Sequence, residues 1–172
     1  VNFWMPTMIQ ELGLDPNDYL KVGLLSMVPW GVAVIVMVLN GSHSDKTGER
    51  FWHAIVPLLI SAAGLLGLAL VGHAPVPSMI CLTLVTSGLL ALIAVFWSIP
   101  AGFLSGTAAA AGIAWINSVG CLGGFIGPDL IGRVRTATDS TEIAFFMLTA
   151  IMLLGAVPLI MMWHQSKARH QS

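Results

Sequence analysis

A short polar segment that begins at Gly41 and ends at Arg50 carries side chains that can exchange charge and hydrogen bonds. Asp45 can accept hydrogen bonds from the free backbone N–H groups at a helix start, where negative charge is also favoured. Lys46 and Arg50 carry the positive charge that membrane proteins keep on the cytoplasmic side. Gly41 lets another helix approach closely, and Gly48 permits a turn conformation that other residues resist. The pattern predicts a charged hinge between two helices; the alternative is a loop whose only task is to stay hydrated.

Elsewhere, side chains that could do chemistry are sparse. Residues 51–128 contain no Asp, Glu, Lys or Arg. His43, His53 and His73 lie near the ends of apolar runs, where interfacial side chains are expected more often than a proton relay. Asn117 lies within an apolar run, where an amide is costly unless it binds a polar ligand or a neighbouring helix. No metal-ligand cluster, phosphate-binding loop or Ser/His/Asp set stands out in the sequence, so neither an enzyme nor a cofactor is expected.

The composition indicates that the solvent of this chain is lipid. The sequence is 56% hydrophobic and 9% charged, and its mean hydropathy is +0.88. A soluble domain carries about 25% charged residues. The net charge of −1 gives no reason to propose a nucleic-acid partner. Cys81 and Cys121 lie in apolar runs and are expected to be buried small side chains.

Five apolar runs are long enough to cross a bilayer, which takes about 20 residues of helix. The predicted spans are residues 22–40, 54–72, 78–101, 107–131 and 143–163. Residues 1–9 resemble the last turns of one more helix, and residues 164–172 form a basic tail. Polar loops are expected at residues 11–21 and 133–142. An odd number of helices with a truncated opening favours a fragment of a larger protein.

Prolines and glycines predict where the spans break or pack. Pro100 leaves the backbone carbonyl near Phe96 without its helical donor. Small residues four positions apart allow close helix contact. The fourth span holds two such pairs, Gly120/Gly124 and Gly123/Gly127.

The polar segment resembles a signature of the major facilitator superfamily of transporters. Five residues fit the pattern G-x-x-x-D-(R/K)-x-G-x-(R/K), namely Gly41, Asp45, Lys46, Gly48 and Arg50. In that family this loop joins the second and third helices of each six-helix half and serves the conformational cycle. The resemblance implies an all-α integral membrane fold and the C-terminal six-helix half of it. Residues 1–9 would be the end of helix 7, and the five spans would be helices 8 to 12.

A narrower resemblance rests on two further stretches, FWSIP at residues 96–100 and AGIAWINSVG at residues 111–120. With the hinge, they are similar to the anion:cation symporter family, in the region of its helices 10 and 11. That family includes permeases for tartrate, phthalate, sugar acids and other aromatic acids. The resemblance therefore implies a small organic anion as the substrate.

The same resemblance implies which residues bind that anion. Trp97 and Asn117 would line the central cavity, with Ser98 and Ser118 as lesser candidates. An Asn amide can bind a carboxylate or hydroxyl, and an indole offers an N–H and a flat face. The alternatives are an interhelical hydrogen bond for Asn117 and a core-facing or lipid-facing ring for Trp97.

The resemblance implies proton-coupled symport of a sugar acid, a dicarboxylate such as tartrate, or an aromatic carboxylate, by alternating access. The coupling carboxylate would lie in the absent N-terminal half, which is an expected partner together with the bilayer. The protein would be a multi-pass protein of the inner (plasma) membrane, with residues 41–50 and the tail in the cytoplasm. An intramembrane enzyme, a channel subunit and a non-transporting membrane scaffold are the alternatives. A complete sequence with about six more spans, including a carboxylate and an arginine at membrane depth, would favour transport.

Overall fold

The computed structural model describes residues 5–11, 18–72 and 74–170. Within these ranges the chain is helical, with no β-strand, and the predicted all-α membrane fold is confirmed. The helices are α1 (Met5–Glu11), α2 (Tyr19–Thr47), α3 (Phe51–Val71), α4 (Pro75–Phe96), α5 (Ser98–Phe103), α6 (Gly106–Thr138) and α7 (Thr141–His170). Five stretches are long and apolar enough to cross a membrane, with α4 and α5 forming one of them.

Some predicted features fall outside the described residues. They are residues 1–4 of the predicted helix remnant, residues 12–17 of the predicted first loop, His73, and residues 171–172 of the predicted tail.

The predicted hinge is shorter than expected. The polar residues from Gly41 to Thr47 continue α2, and three residues separate that helix from α3 at Phe51. A polar helix end keeps its backbone hydrogen bonds while its side chains reach water, so polarity alone does not end the helix. Gly48 ends it by adopting the left-handed conformation, with φ at 68°. The expected role of this glycine is therefore confirmed.

The other polar segments are also more helical than predicted. α6 runs to Thr138, through most of the predicted loop at residues 133–142, and ends where Asp139 takes a left-handed conformation with φ at 50°. α7 runs to His170, so the described part of the predicted tail is helical. A 33-residue helix such as α6 is about 50 Å long, more than the roughly 30 Å of the hydrocarbon core. Its polar end therefore extends into the interface or beyond.

The core is built by α3, which packs against α4 on one side and α7 on the other, while α2 packs on α4. Two clusters of buried side chains hold these helices together. The first joins α1, α2, α3, α4 and α7 and includes Ile9, Val22, Leu65, Leu82, Val85 and Phe145. The second joins the start of α3 to α5 and α7 and includes Ile55, Leu58, Ile99, Ala156 and Leu159.

Close contact between α3 and α4 depends on two glycines. A Cβ at Gly88 would lie 2.4 Å from the carbonyl oxygen of Pro57 and 2.8 Å from the backbone nitrogen of Ser61. A Cβ at Gly64 would lie 2.9 Å from the carbonyl oxygen of Cys81. These neighbours are backbone atoms, which cannot rotate away. The two helices can therefore keep this separation only with glycine at both positions.

The glycine pairs predicted to make close contact do not do so within the described chain. No heavy atom lies within 4 Å of the Cβ positions of Gly120, Gly123, Gly124 and Gly127. The reason is the position of α6, which contacts α5 and α7 but buries none of its side chains. Cys121 is exposed for the same reason, and Cys81 is half-buried; both expectations of burial were wrong, and both thiols are free.

We predict that Gly88→Ala destabilises the protein by about 1–3 kcal/mol, because the added methyl group forces α3 and α4 apart. The measurement is the melting temperature of the complete gene product in detergent. Gly155→Ala is the matched control, since a Cβ at Gly155 meets no heavy atom within 4 Å. Equal melting temperatures for the two variants would contradict this account of the contact.

Candidate functional site

The turn between α2 and α3 is held by a small network around Arg50. Its Nη1 donates to Asp45 Oδ1 at 2.5 Å and to Ser44 Oγ at 3.1 Å. The Ser44 hydroxyl is fully buried and donates to the carbonyl oxygen of Glu49 at 2.8 Å. Asp45 and Arg50 therefore join the last turn of α2 to the residue that precedes α3.

Asp45 does not take the predicted place at a helix start. It lies within the last turn of α2, and Glu49 accepts at the start of α3 instead, with its Oε2 2.8 Å from the backbone nitrogen of Trp52. The extension of α2 to Thr47 places Asp45 inside that helix, whereas Glu49 lies two residues before Phe51, where α3 begins. Lys46 is exposed. No heavy atom of the described chain lies within 4 Å of a Cβ at Gly41, so the close packing expected there is not found within this chain.

A second set of contacts beside the turn was missed in the sequence. His43 Nδ1 lies 2.6 Å from His53 Nε2, and His53 Nδ1 lies 3.3 Å from Glu49 Oε2. A hydrogen bond between two imidazoles needs one ring nitrogen as the donor and the other as the acceptor. The sequence feature that could have predicted this contact is a pair of histidines, one on each side of a short turn. They link the end of α2 to the first turn of α3.

Asn40 joins three helices just inside this network. Its amide nitrogen donates to the carbonyl oxygen of His53 at 2.9 Å and to that of Ala91 at 3.1 Å. The amide thereby connects α2 to α3 and α4. Such interhelical hydrogen bonds contribute about 0.6 to 2 kcal/mol each in membrane proteins.

The opposite end of α2 carries a simpler ion pair. Asp18 caps this helix by accepting from the backbone nitrogen of Lys21 at 3.2 Å, and it also pairs with the Lys21 ammonium at 2.5 Å. The hydrogen bond from the Lys21 side chain lowers the pKa of the Asp18 carboxyl. This pair joins residues of one helix end, whereas the Asp45–Arg50 pair bridges two helices.

The four predicted substrate residues are divided between two regions. Trp97 and Ser98 are half-buried at the break between α4 and α5. They lie three and two positions before Pro100, which was expected to weaken the helix there. The Ser98 hydroxyl donates to the carbonyl oxygen of Val95 at 2.6 Å. Asn117 and Ser118 are exposed on α6. Within the described residues, no hydrogen bond joins the two regions.

The exposed face of α6 that carries Asn117 is also a face of small residues. Gly120 and Gly124 follow Asn117 at spacings of three and seven, which places all three on one side of the helix. Trp115 lies on a different side and is 73% exposed. Among the residues that the structure describes, Asn117 makes no side-chain hydrogen bond. The interhelical hydrogen bond that was the alternative role for Asn117 is therefore not formed within this part of the chain.

Comparison with known proteins identifies relatives over most of the chain. The sequence model of the Major Facilitator Superfamily matches residues 1–128. A candidate tartrate transporter from Agrobacterium vitis is 41% identical over 157 residues, which cover 91% of this chain and 34% of that protein. A quinolone resistance transporter from Acinetobacter baumannii is 34% identical, with coverage of 91% and 36%. The inner membrane transport protein RhmT from Escherichia coli is 35% identical, with coverage of 90% and 35%.

The chain spans about a third of the length of these curated relatives. No solved structure was found to match it. The family model covers well over half of the chain, and the signature residues of the turn lie within its range. These residues, the five membrane-length helices and the matched region lead to one conclusion: the chain is a multi-pass membrane protein that belongs to the Major Facilitator Superfamily.

Proposed function

We propose that this chain is the C-terminal half of a transporter that carries a small organic anion together with protons by alternating access. The observation that carries the proposal is the exposure of α6. This membrane-length helix buries no side chain within the described chain, yet it bears a polar amide and a row of glycines on one face. A helix with such a face needs another protein surface beside it.

The energetics of Asn117 support this assignment. An amide without a hydrogen-bond partner in an apolar medium costs several kcal/mol, so polar residues at membrane depth face the protein interior or a hydrated cavity. Asn117 has no such partner in the described chain and lies on the glycine face of α6. The N-terminal half would pack on this face, and the amide would meet the anion in the cavity between the halves.

Trp97, Ser98 and Ser118 would complete the site. Trp97 and Ser98 are half-buried at the break between α4 and α5. Pro100 follows two positions after Ser98 and would weaken a continuous helix at this point. Interrupted helices commonly form substrate sites in transporters. The indole N–H of Trp97 can donate to a carboxylate, and the two serine hydroxyls can donate to further oxygens.

The relatives support an organic acid as the substrate class. The candidate tartrate transporter of Agrobacterium vitis is named for a dicarboxylate, and it is 41% identical to this chain over 157 residues. Residues 51–128 contain no carboxylate that could exchange a proton within the membrane. Asp129, farther along α6, is already paired with Arg133, whose Nε donates to its Oδ2 at 2.8 Å. The group that couples transport to protons would then belong to the N-terminal half, along with the main cation for the anion.

The proposed location is the inner membrane, with residues 41–50 and the tail in the cytoplasm. Gly48, Glu49 and Arg50 line the same crevice as Ser166 and Lys167, so the turn and the end of α7 lie at one end of the bundle. Basic residues at that end agree with the positive-inside rule. The relative RhmT of Escherichia coli is named as an inner membrane protein.

The Asp45–Arg50 pair would act in the conformational cycle. The pair bridges two helices at the end of the bundle where rocking of the halves opens and closes the cavity. A contact that is present in one state and absent in another contributes to the equilibrium between them. Because the pair is exposed, it contributes only about 0–1 kcal/mol to the free energy of unfolding.

We predict that Asn117→Ala in the complete protein abolishes uptake and leaves the folded protein intact, because the amide makes no hydrogen bond among the described residues. Asn40→Ala is the matched control: it removes the same group where the amide holds three helices together, so its melting temperature should fall. Both are measured by uptake into vesicles and by melting in detergent. Unfolding of Asn117→Ala would instead assign the residue a structural role.

We predict that Asp45→Asn slows uptake on the order of tenfold, the size of a typical coupling free energy, while equilibrium binding of the substrate is unchanged. Asp18→Asn is the control, because it also removes the charge of an ion pair and asparagine still caps a helix well. Uptake rates and binding isotherms are compared for both variants. A fall in affinity at an unchanged rate of cycling would assign Asp45 to substrate binding.

The substrate class is tested with the complete gene product in vesicles. Uptake of tartrate, sugar acids and aromatic carboxylates is measured with and without a pH gradient. We expect uptake of at least one class, raised by an inward proton gradient. Transport of none of these acids would refute the assignment of an organic anion as the substrate. Uptake that does not change with the pH gradient would refute the assignment of protons as the coupling ion.

A further inference from the structure

A crevice of about 470 Å³ opens at the turn end of the bundle, between the start of α3, α5 and the end of α7. Its inner walls are apolar, with Phe51, Ile99 and Phe103 among them. Cavities of about 300–1,000 Å³ are the usual size of sites for small molecules and for parts of larger ligands. Of the predicted substrate residues, Ser98 lines this crevice at its α5 wall, whereas Trp97, Asn117 and Ser118 do not line it.

Two cations lie on the walls of the crevice, Arg50 and Lys167. The Arg50 contacts to Asp45 and Ser44 are both made by Nη1. A guanidinium has five N–H donors, so Arg50 retains donors for another anion. Lys167 lies with its ammonium 4.4 Å from the centre of the Trp163 ring, and no carboxylate of the described chain is within ion-pair distance of it.

Glu49 is the anion on the crevice wall, but its carboxylate is already engaged. Its Oε2 accepts from the backbone nitrogen of Trp52 and lies 3.3 Å from His53 Nδ1. Asp45 is matched by Arg50. On the wall of the crevice, the ammonium of Lys167 is therefore a positive charge that no carboxylate of the described residues balances.

Aromatic side chains place the crevice at a membrane surface. The rings of Trp52 and Trp163 meet edge to face, with centroids 5.1 Å apart. Tryptophan is enriched at the boundary between lipid and water, where its ring meets acyl chains and its N–H meets headgroups. A ligand here would meet apolar walls from the membrane side and cations from the water side.

We propose that this crevice binds an anionic phospholipid, with the phosphate held by Lys167 and Arg50 and the upper acyl chains against Phe51, Ile99 and Phe103. Basic pockets between membrane helices on the cytoplasmic side bind anionic headgroups by this combination of contacts. A soluble phosphate would use the cations but not the apolar walls. A zwitterionic lipid would use the walls with less attraction to the cations.

The test uses the complete gene product in a neutral detergent. Phosphatidylglycerol, phosphatidylcholine and soluble glycerol phosphate are titrated separately, and bound molecules are counted by native mass spectrometry. Lys167→Gln removes the unbalanced charge. Lys46→Gln is the matched control, because Lys46 is an exposed cation near the same turn that does not line the crevice.

We expect phosphatidylglycerol to bind more tightly than the other two probes, and Lys167→Gln to weaken it about fivefold while Lys46→Gln leaves it unchanged. Melting without lipid serves as the check of folding. Equal binding of glycerol phosphate would make the site one for soluble phosphate. Equal binding of phosphatidylcholine, or an unchanged affinity in Lys167→Gln, would overturn the proposal.

Discussion

A polar side chain at membrane depth needs a partner within the protein, because lipid offers neither donors nor acceptors. Much of this chain can be understood from how each polar group meets that requirement. Asn40 bonds to carbonyls on two other helices, and the hydroxyl of Ser61 donates to the carbonyl of Val85 at 3.0 Å. The buried Ser87 hydroxyl has no hydrogen-bond partner within the described residues, at a cost of about 1–3 kcal/mol. Asn117 differs from all of these, since in the described part of the chain its amide has no hydrogen-bond partner and is exposed.

This contrast divides the helices into two groups. α2, α3, α4 and α7 are packed on one another, with Gly64 and Gly88 permitting the closest approach. α6 stands at the edge of that group and buries nothing, although its length and hydropathy suit a membrane span. The first group forms the buried core of the described chain. For α6 we propose a partner surface outside the described residues, and the polar and small residues on its exposed face are the reason for placing the cavity there in that proposal.

The turn between α2 and α3 shows how little loop a membrane protein needs between two spans. Gly48 reverses the chain, and the side chains around it replace the backbone bonds that the helices can no longer make. The same end of the bundle gathers the cations and tryptophans that suit an interface. Charge at this end joins the end of α2 to the start of α3 through Asp45 and Arg50. In our proposals it also sets the orientation in the membrane and offers contacts to headgroups.

The sequence by itself determined the membrane environment, the helical class and the existence of five spans, because apolar runs of this length have no other stable solution in lipid. It also identified the family signature, whose residues are local. The predicted ends of α2, α6 and α7 were too early, and the structure ends these helices at Thr47, Thr138 and His170. The reason is that a polar residue is compatible with either a loop or a helix that protrudes into water. Only the tertiary structure decided which glycines make close contacts, which carboxylate starts α3, and that His43 meets His53. Those outcomes depend on how helices distant in sequence approach one another, and the spacing of residues along one helix does not contain that information.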